Sequence, residues 1–305
     1  MALIKRNTES GTKKKSKSLW QQALHRLLKN KLTVVSIGFI IFIILFSFVG
    51  PLFSPYGSND IDTTIMKEAP SLAHILGTDE YGRDVLTRLM LAGRISITVG
   101  IASMILSLIL GTILGAVSGF YGGIVDNIIM RIADILMSIP GLPLLIIIAA
   151  LLSEFKVPND YRIYIVMFML SFVGWPGLAR LIRGQVLSLR EQPYMKAADV
   201  LGLSDKRKIL NHLIPNTFPL LIVVATLSTA NGILSESTLS FLGLGVIPPT
   251  PSWGNMINAA NNLLDFQKRG WLWIPPGVAI FLTVVAINLL GDALRDALDP
   301  KMKGR

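Results

Sequence analysis

EQPYMKAADVLGLSDKRKILNHLIP, residues 191–215, carries two helix starts and a glycine stop between long uncharged runs. Pro193 suits the first turn of a helix, Gly202 suits its end, and Ser204 suits the cap of a second helix with Asp205 in the first turn. The expected shape is a short charged helix, a sharp break and a second charged helix closed by Pro215, lying at a membrane surface. An amphipathic helix resting on anionic lipid would account for Lys196, Lys206, Arg207 and Lys208. It gives no purpose to the small apex of Ala197, Ala198 and Gly202.

The composition around this stretch is that of a membrane protein. Only 16% of residues are charged and 51% are hydrophobic, with a mean hydropathy of +0.57, against roughly 25% charged in an average soluble domain. A helix needs about 20 apolar residues to cross the hydrocarbon layer. Six runs qualify, at 32–59, 95–125, 135–153, 163–179, 213–235 and 270–291. The fourth is short, but Arg162 and Arg180 at its ends can snorkel to the two interfaces. The uncharged tract 237–264 is read as a loop, because Pro248, Pro249, Pro251 and Gly254 break a helix there.

Lysine and arginine near helix ends stay on the cytoplasmic side. The first 32 residues hold nine of them against the single acid Glu9, which places the N-terminus inside. Six spans then put 180–212 and the C-terminal tail inside as well, and the loop with Asp60, Asp62, Glu68, Asp79, Glu80 and Asp84 outside. The basic residues flank apolar spans and form no separate basic domain, so the net charge of +10 does not point to nucleic acid. The first apolar run is longer than a cleavable signal segment and ends in Gly50-Pro51-Leu52-Phe53-Ser54-Pro55, so it reads as a retained anchor. With no cysteine, disulfides and thiolate metal sites are excluded, and no metal site is expected.

Within the spans, small residues recur every fourth position in the second: Ser103, Ser107, Gly111, Gly115, Gly119 and Gly123. They make one helix face nearly flat, which fits packing inside the bundle or a contact between subunits. Pro140, Pro143, Pro176, Pro219, Pro275 and Pro276 predict kinks in or beside the last four spans. Asn231, Ser235 and Glu236 lie in a polar stretch near the outer end of the fifth, where Glu236 either lines a pathway or sits at a solvated helix end. Arg131 and Asp134, three apart, are expected to pair on one helix face, with a proton relay as the alternative.

At residues 196–215 the chain resembles the EAA loop of permease subunits of bacterial ABC importers, whose pattern is Glu-Ala-Ala, three residues, Gly, nine residues, Ile, one residue, Leu-Pro. Ala197, Ala198, Gly202 and Pro215 match in register, with Ile214 at the leucine position. Lys196 stands in place of the usual glutamate and His212 in place of the isoleucine. HILGTDEYGRDVLTRLMLAGRISITVG at 74–100, GGIVDNIIMRIADILMSIPGLPLLI and SESTLSFLGLGVIPPTPSWGNMI resemble segments of the dipeptide/oligopeptide permease family, in particular its C-type subunit. The resemblance covers roughly residues 20–300.

It implies a type I ABC importer permease (MetI-like) fold, all-α with six transmembrane helices, N-in and C-in, with an added N-terminal helix and extracytoplasmic loop. The implied layout is a basic cytoplasmic tail at 1–32, an anchor with its outer loop at 33–93, and a permease domain at 94–305 with coupling helices at about 191–212. Lys196, Ala197, Ala198, Asp199, Gly202, Ser204 and Asp205 would meet an ATPase, with Ala197 and Ala198 allowing close approach. Implied partners are a homologous permease, two ATPase subunits that hold ATP and magnesium, and an extracytoplasmic peptide-binding protein, in a bacterial plasma membrane. Nickel or another small solute is the alternative cargo. The chain has no G-x-x-x-x-G-K-[ST] loop, so no cofactor is expected on it.

Other classes fit less. An ion-coupled secondary transporter is expected to show repeated halves and midplane ionisable groups, whereas no internal repeat is found and the acids lie near span ends. The only histidines, His25, His74 and His212, lie outside the apolar spans, and neither H-E-x-x-H nor G-x-S-x-G occurs, which argues against an intramembrane enzyme. A receptor or scaffold would need a folded domain, and the outer loop of about 40 residues is below the ~50 usually required.

Overall fold

Asn30 starts the first helix: its side-chain oxygen accepts the Leu32 amide at 3.0 Å and frees the apolar run behind it to wind into α1, Lys31–Phe48. In the computed structural model, which describes residues 27–154 and 158–298, α1 is polar inside and apolar outside. Thr33, Ser36 and Ser47 are buried, while Leu32, Val35, Phe42 and Leu45 are exposed. That inversion is what lipid demands, since apolar tails are no worse than protein as neighbours and small residues allow close helix contact. The basic tail expected at 1–32 falls outside the described residues up to residue 26.

The following helices are α2 (Val85–Tyr121), α3 (Gly123–Ser138), α4 (Gly141–Glu154), α5 (Asn159–Arg190), α6 (Pro193–Val200), α7 (Asp205–Lys208), α8 (Ile214–Phe241), α9 (Trp253–Ile257), α10 (Leu263–Lys268) and α11 (Ile274–Leu298). Among the described residues, five helical stretches are long and apolar enough to span a membrane, and the bent pair α3–α4 makes the sixth. Among the described residues, the only extended pairing is an isolated bridge between Thr78 and Asp84.

α2 is the axis. It starts at Val85, ten residues before the expected 95, because Asp84 caps it by accepting the Thr87 amide at 2.7 Å. Its small-residue ladder packs within the chain, against α5. A Cβ on Gly111 would meet the Leu178 side chain, one on Gly119 the Arg183 carbonyl, and one on Gly115 the Ala179 carbonyl at 2.4 Å. Toward the outer end α2 meets α1, α8, α9 and α11 through Ile43, Leu89, Ile97, Ile233, Trp253 and Ile280. Toward the inner end Ala116 joins Ile182, Val186, Met195, Ile209 and Leu213.

Several expectations change. The span predicted at 135–153 is two helices meeting at 88°. Pro140 disfavours helical backbone at the residue before it, and Ile139 is extended (φ −95°, ψ 129°). α5 and α8 run through Pro176 and Pro219 without a break, and Pro275 and Pro276 occupy the first turn of α11, where the missing donors cost nothing. The second charged helix does not end at Pro215. A π turn, Ile209–Leu213, joins α7 to α8, and the Ile214 amide reaches back five residues to Ile209. The wider turn relieves the clash that a proline ring makes with the carbonyl four residues earlier. Ser204 stands at the cap position of α7 without a side-chain cap bond. The tract read as a loop at 237–264 begins with the last turn of α8 and contains α9 and the start of α10.

The expected Arg131–Asp134 pair is not formed. Asp134 pairs with Arg180 of α5 at 2.5 Å, and Asp126 takes Arg183 in a two-toothed bridge at 2.6 and 2.5 Å. Spacing on one helix allowed the first pairing, but Arg180 and Arg183 of α5 reach these carboxylates across the helix contact.

Candidate functional site

The inner end of the bundle carries an elbow built from α6 and α7. Pro193 opens α6, and a paired turn closes it: the Gly202 amide donates to the Asp199 carbonyl and the Leu203 amide to the Ala198 carbonyl. This closure requires a left-handed residue after the cap, and Gly202 has φ +69°. Lys208 then clasps the elbow. Its ammonium lies 2.7 Å from Asp199 and 3.3 Å from Asp205, and 6.0 Å over the Phe120 ring at the end of α2. Arg190 reaches the carbonyls of Gly119 and Phe120, satisfying two acceptors at that helix end.

The elbow has two faces. Met195 and Ala198, three apart on α6, are buried against the bundle, so the small side chain of Ala198 serves close packing within the chain. Sequence reasoning assigned that closeness to a partner. Lys196, Ala197, Asp199, Gly202, Ser204 and Asp205 face outward, together with two apolar residues that sequence reasoning passed over: Val200 is 88% exposed and Leu201 77%. Their position next to the glycine stop was the available signal. α6 follows α5 after Arg190 and α7 leads through the π turn into α8. A force on the apex therefore acts on two spanning helices at once.

At the outer end, the residues considered for a pathway separate. Asn231 is exposed and Ser235 half-buried. Glu236 is 0% exposed, so it reaches no surface of this chain. Its carboxylate accepts from Ser96 of α2 and from Ser240, each at 2.7 Å, and from Ser237 at 3.4 Å. Ser96 also accepts the Trp253 amide and Ser240 the Val246 amide, at 3.2 and 3.0 Å. Each of these two hydroxyls thus spends its lone pair on the outer segment and its proton on Glu236. The carboxylate holds α2, α8 and the loop beyond α8 to one another.

Above this sits an outer cap. Thr78 and Asp79 tie the segment before α2 to the turn at Lys67, with the Lys67 amide donating to the Asp79 carbonyl and the Thr78 amide to the Glu68 carbonyl. Lys67, in left-handed backbone at φ +55°, reaches Asp265 of α10 at 2.7 Å, and Arg269 reaches the other oxygen at 2.5 Å. Burial pushes the Asp265 carboxyl up, but the bonds from Lys67 and Arg269 outweigh it and hold the group below the ordinary aspartate range. Sequence reasoning recorded these acids only as markers of the outer side. The alternation of acid and arginine in TDEYGRD was the signal for a knotted turn.

Comparison with known proteins agrees with this architecture. Residues 111–304 match the family described as binding-protein-dependent transport system inner membrane component. Residues 18–70 match the N-terminal TM domain of oligopeptide transport permease C. A putative peptide permease protein of Brucella suis is 39% identical over 92% of this chain and 90% of its own length. The oligopeptide transport system permease protein OppC of Haemophilus influenzae is 40% identical over 93% and 89%, and that of Escherichia coli K12 38% over 99% of each. Matched over most of its length and sharing the spanning helices, the chain belongs to the inner-membrane permease components of binding-protein-dependent transport systems.

Proposed function

We propose that this chain forms half of the translocation pathway of an ATP-driven peptide importer and is moved by an ATPase that grips its elbow. The observation that carries the reading is the pair of bare apolar side chains, Val200 and Leu201, at the tip of a hinge fastened to α2, α5 and α8. Exposed leucine and valine are ordinary against lipid. On the charged inner face, two adjacent ones at the apex of a hinge fit a protein groove. ATP and magnesium belong to the ATPase. The second half of the pathway is a homologous permease, and an extracytoplasmic binding protein delivers the peptide. The relatives named as peptide and oligopeptide permeases support the cargo.

The test is Leu201→Glu in the full complex, assayed in vesicles. Burying a leucine contributes about 1.5–3 kcal/mol, so the variant should insert normally, lose at least about tenfold of its ATPase affinity and fail to import peptide. Wild-type uptake by this variant refutes the coupling role.

A further inference from the structure

The outer cap encloses a cavity of about 590 Å³ between the start of α2, the end of α8 and the α9–α10 segment, within the ~300–1,000 Å³ range of small-ligand sites. On its wall lie Arg83 and Arg88, only 6% and 3% exposed. Both aim their Nε at the same Asp79 Oδ2, at 2.8 and 3.4 Å. The other oxygen of Asp79 already accepts the amides of Tyr81 and Arg83. Arg88 Nη1 donates to the Ser58 carbonyl at 2.8 Å. Arg88 Nη2 and both terminal nitrogens of Arg83 have no hydrogen-bond partner among the described residues, and the Arg83 guanidinium lies 4.5 Å over the Tyr81 ring. Two buried arginines therefore share one carboxylate, Arg88 Nη1 also reaches the Pro249 carbonyl at 3.5 Å, and the three remaining donor groups are open to the cavity with no protein partner among the described residues.

Buried arginines with free donors call for an acceptor of matching planar shape. The remaining charges on the wall narrow the choice. Lys67 is taken up by Asp265, which Arg269 also bridges. Glu80 is exposed and makes no hydrogen bond or ion pair among the described residues, though its charge acts on Arg88, so it offers an acid to a cationic group on the same ligand. From this pairing of unmet guanidiniums with a free acid in one cavity, we infer a site for a short peptide, with Arg83 and Arg88 taking its C-terminal carboxylate and Glu80 its ammonium end. The carboxylate chemistry follows from the arginines; that the carboxylate belongs to a peptide rests on the importer reading above.

The experiment compares uptake of one short peptide as its free acid and as its C-terminal amide by the full complex in vesicles. Wild type is set beside Arg83→Lys and Arg88→Lys, which keep a cation opposite Asp79 and remove the forked donors. The delivering protein is the same in every arm, so its own preference cancels in the variant-to-wild-type ratio. The expected result is a KM for the free acid raised about tenfold to a hundredfold, an unchanged amide, and unaltered melting of the complex. Glu80→Gln, at a position with no hydrogen bond or ion pair among the described residues, is expected to lower discrimination between free and N-acetylated peptide. A wild-type acid-to-amide ratio in both lysine variants overturns the site. Equal loss for acid and amide, with weaker docking of the delivering protein, also overturns it and assigns the arginines to that protein's acidic side chains. If the wild-type complex imports neither peptide, the importer reading fails, and the peptide site fails with it.

Discussion

Gly202 separates the shape of the elbow from its contact with a partner. An L residue in left-handed backbone costs about 1–2 kcal/mol, less for asparagine, which visits that region more readily. A Cβ at Gly202 would find no atom within 4 Å, so no packing inside the chain is lost. Gly202→Asn should therefore leave the hinge folded, with its Asp199 and Ala198 carbonyls still satisfied. Gly202→Ala should loosen it by a factor of roughly 5–30. If the apex seats in an ATPase groove, the asparagine is a bulk problem and not a conformational one. Both variants then lose ATP-driven uptake, although only alanine reduces stability. The assay pairs uptake in vesicles with thermal melting of the purified complex. An asparagine variant that imports peptide at the wild-type rate would refute the seating argument, because it adds a side chain at an exposed point of the hinge without changing its backbone.

The Glu236 anchor makes a second test: Glu236→Ala leaves the Ser96 and Ser240 hydroxyls without their acceptor, at about 1–3 kcal/mol each, partly offset by removing a buried charge. Glu236→Gln keeps one oxygen and should lose about half as much, read as the midpoint of denaturant unfolding in micelles. Gly115→Ala pushes a methyl to 2.4 Å from the Ala179 carbonyl and should cost about 1–3 kcal/mol, whereas Gly38→Ala, with nothing within 4 Å, should be neutral by the same measurement. The Asp265 carboxyl titrates lower in the folded chain than in the unfolded one. Its contribution to the cap is therefore fully present above the unfolded value and lost as pH falls through the folded one. The protection factors of the α10 amides, exchange rates divided into the intrinsic rate at each pH, should be constant between about pH 5 and 8 and fall only in stronger acid, and Asp265→Asn should abolish that dependence.

What could be read in the sequence was local. Pro193 and Gly202 announce α6 and its stop because a missing donor and a left-handed turn are properties of single residues, and the apolar spans are visible because lipid selects composition. The spacing of Met195 and Ala198 would have shown which face of α6 turns inward. The fusion of α7 with α8 could not be read in the same way: Pro215 reads as an end unless the backbone widens into a π turn, which depends on support from Ile209 and Leu213 in the inner core. Glu236 looked like a pathway residue because its main partner, Ser96, lies 140 positions away, and Lys67 finds Asp265 across 198. Such pairings sort the charges of a membrane protein into those that hold helices together and those left over. Asp126, Asp134, Glu236 and Asp265 fall into the first group by their contacts. The unmet groups of Arg83 and Arg88, the free acid of Glu80 and the bare tip at Leu201 fall into the second, and they lie at opposite ends of α2.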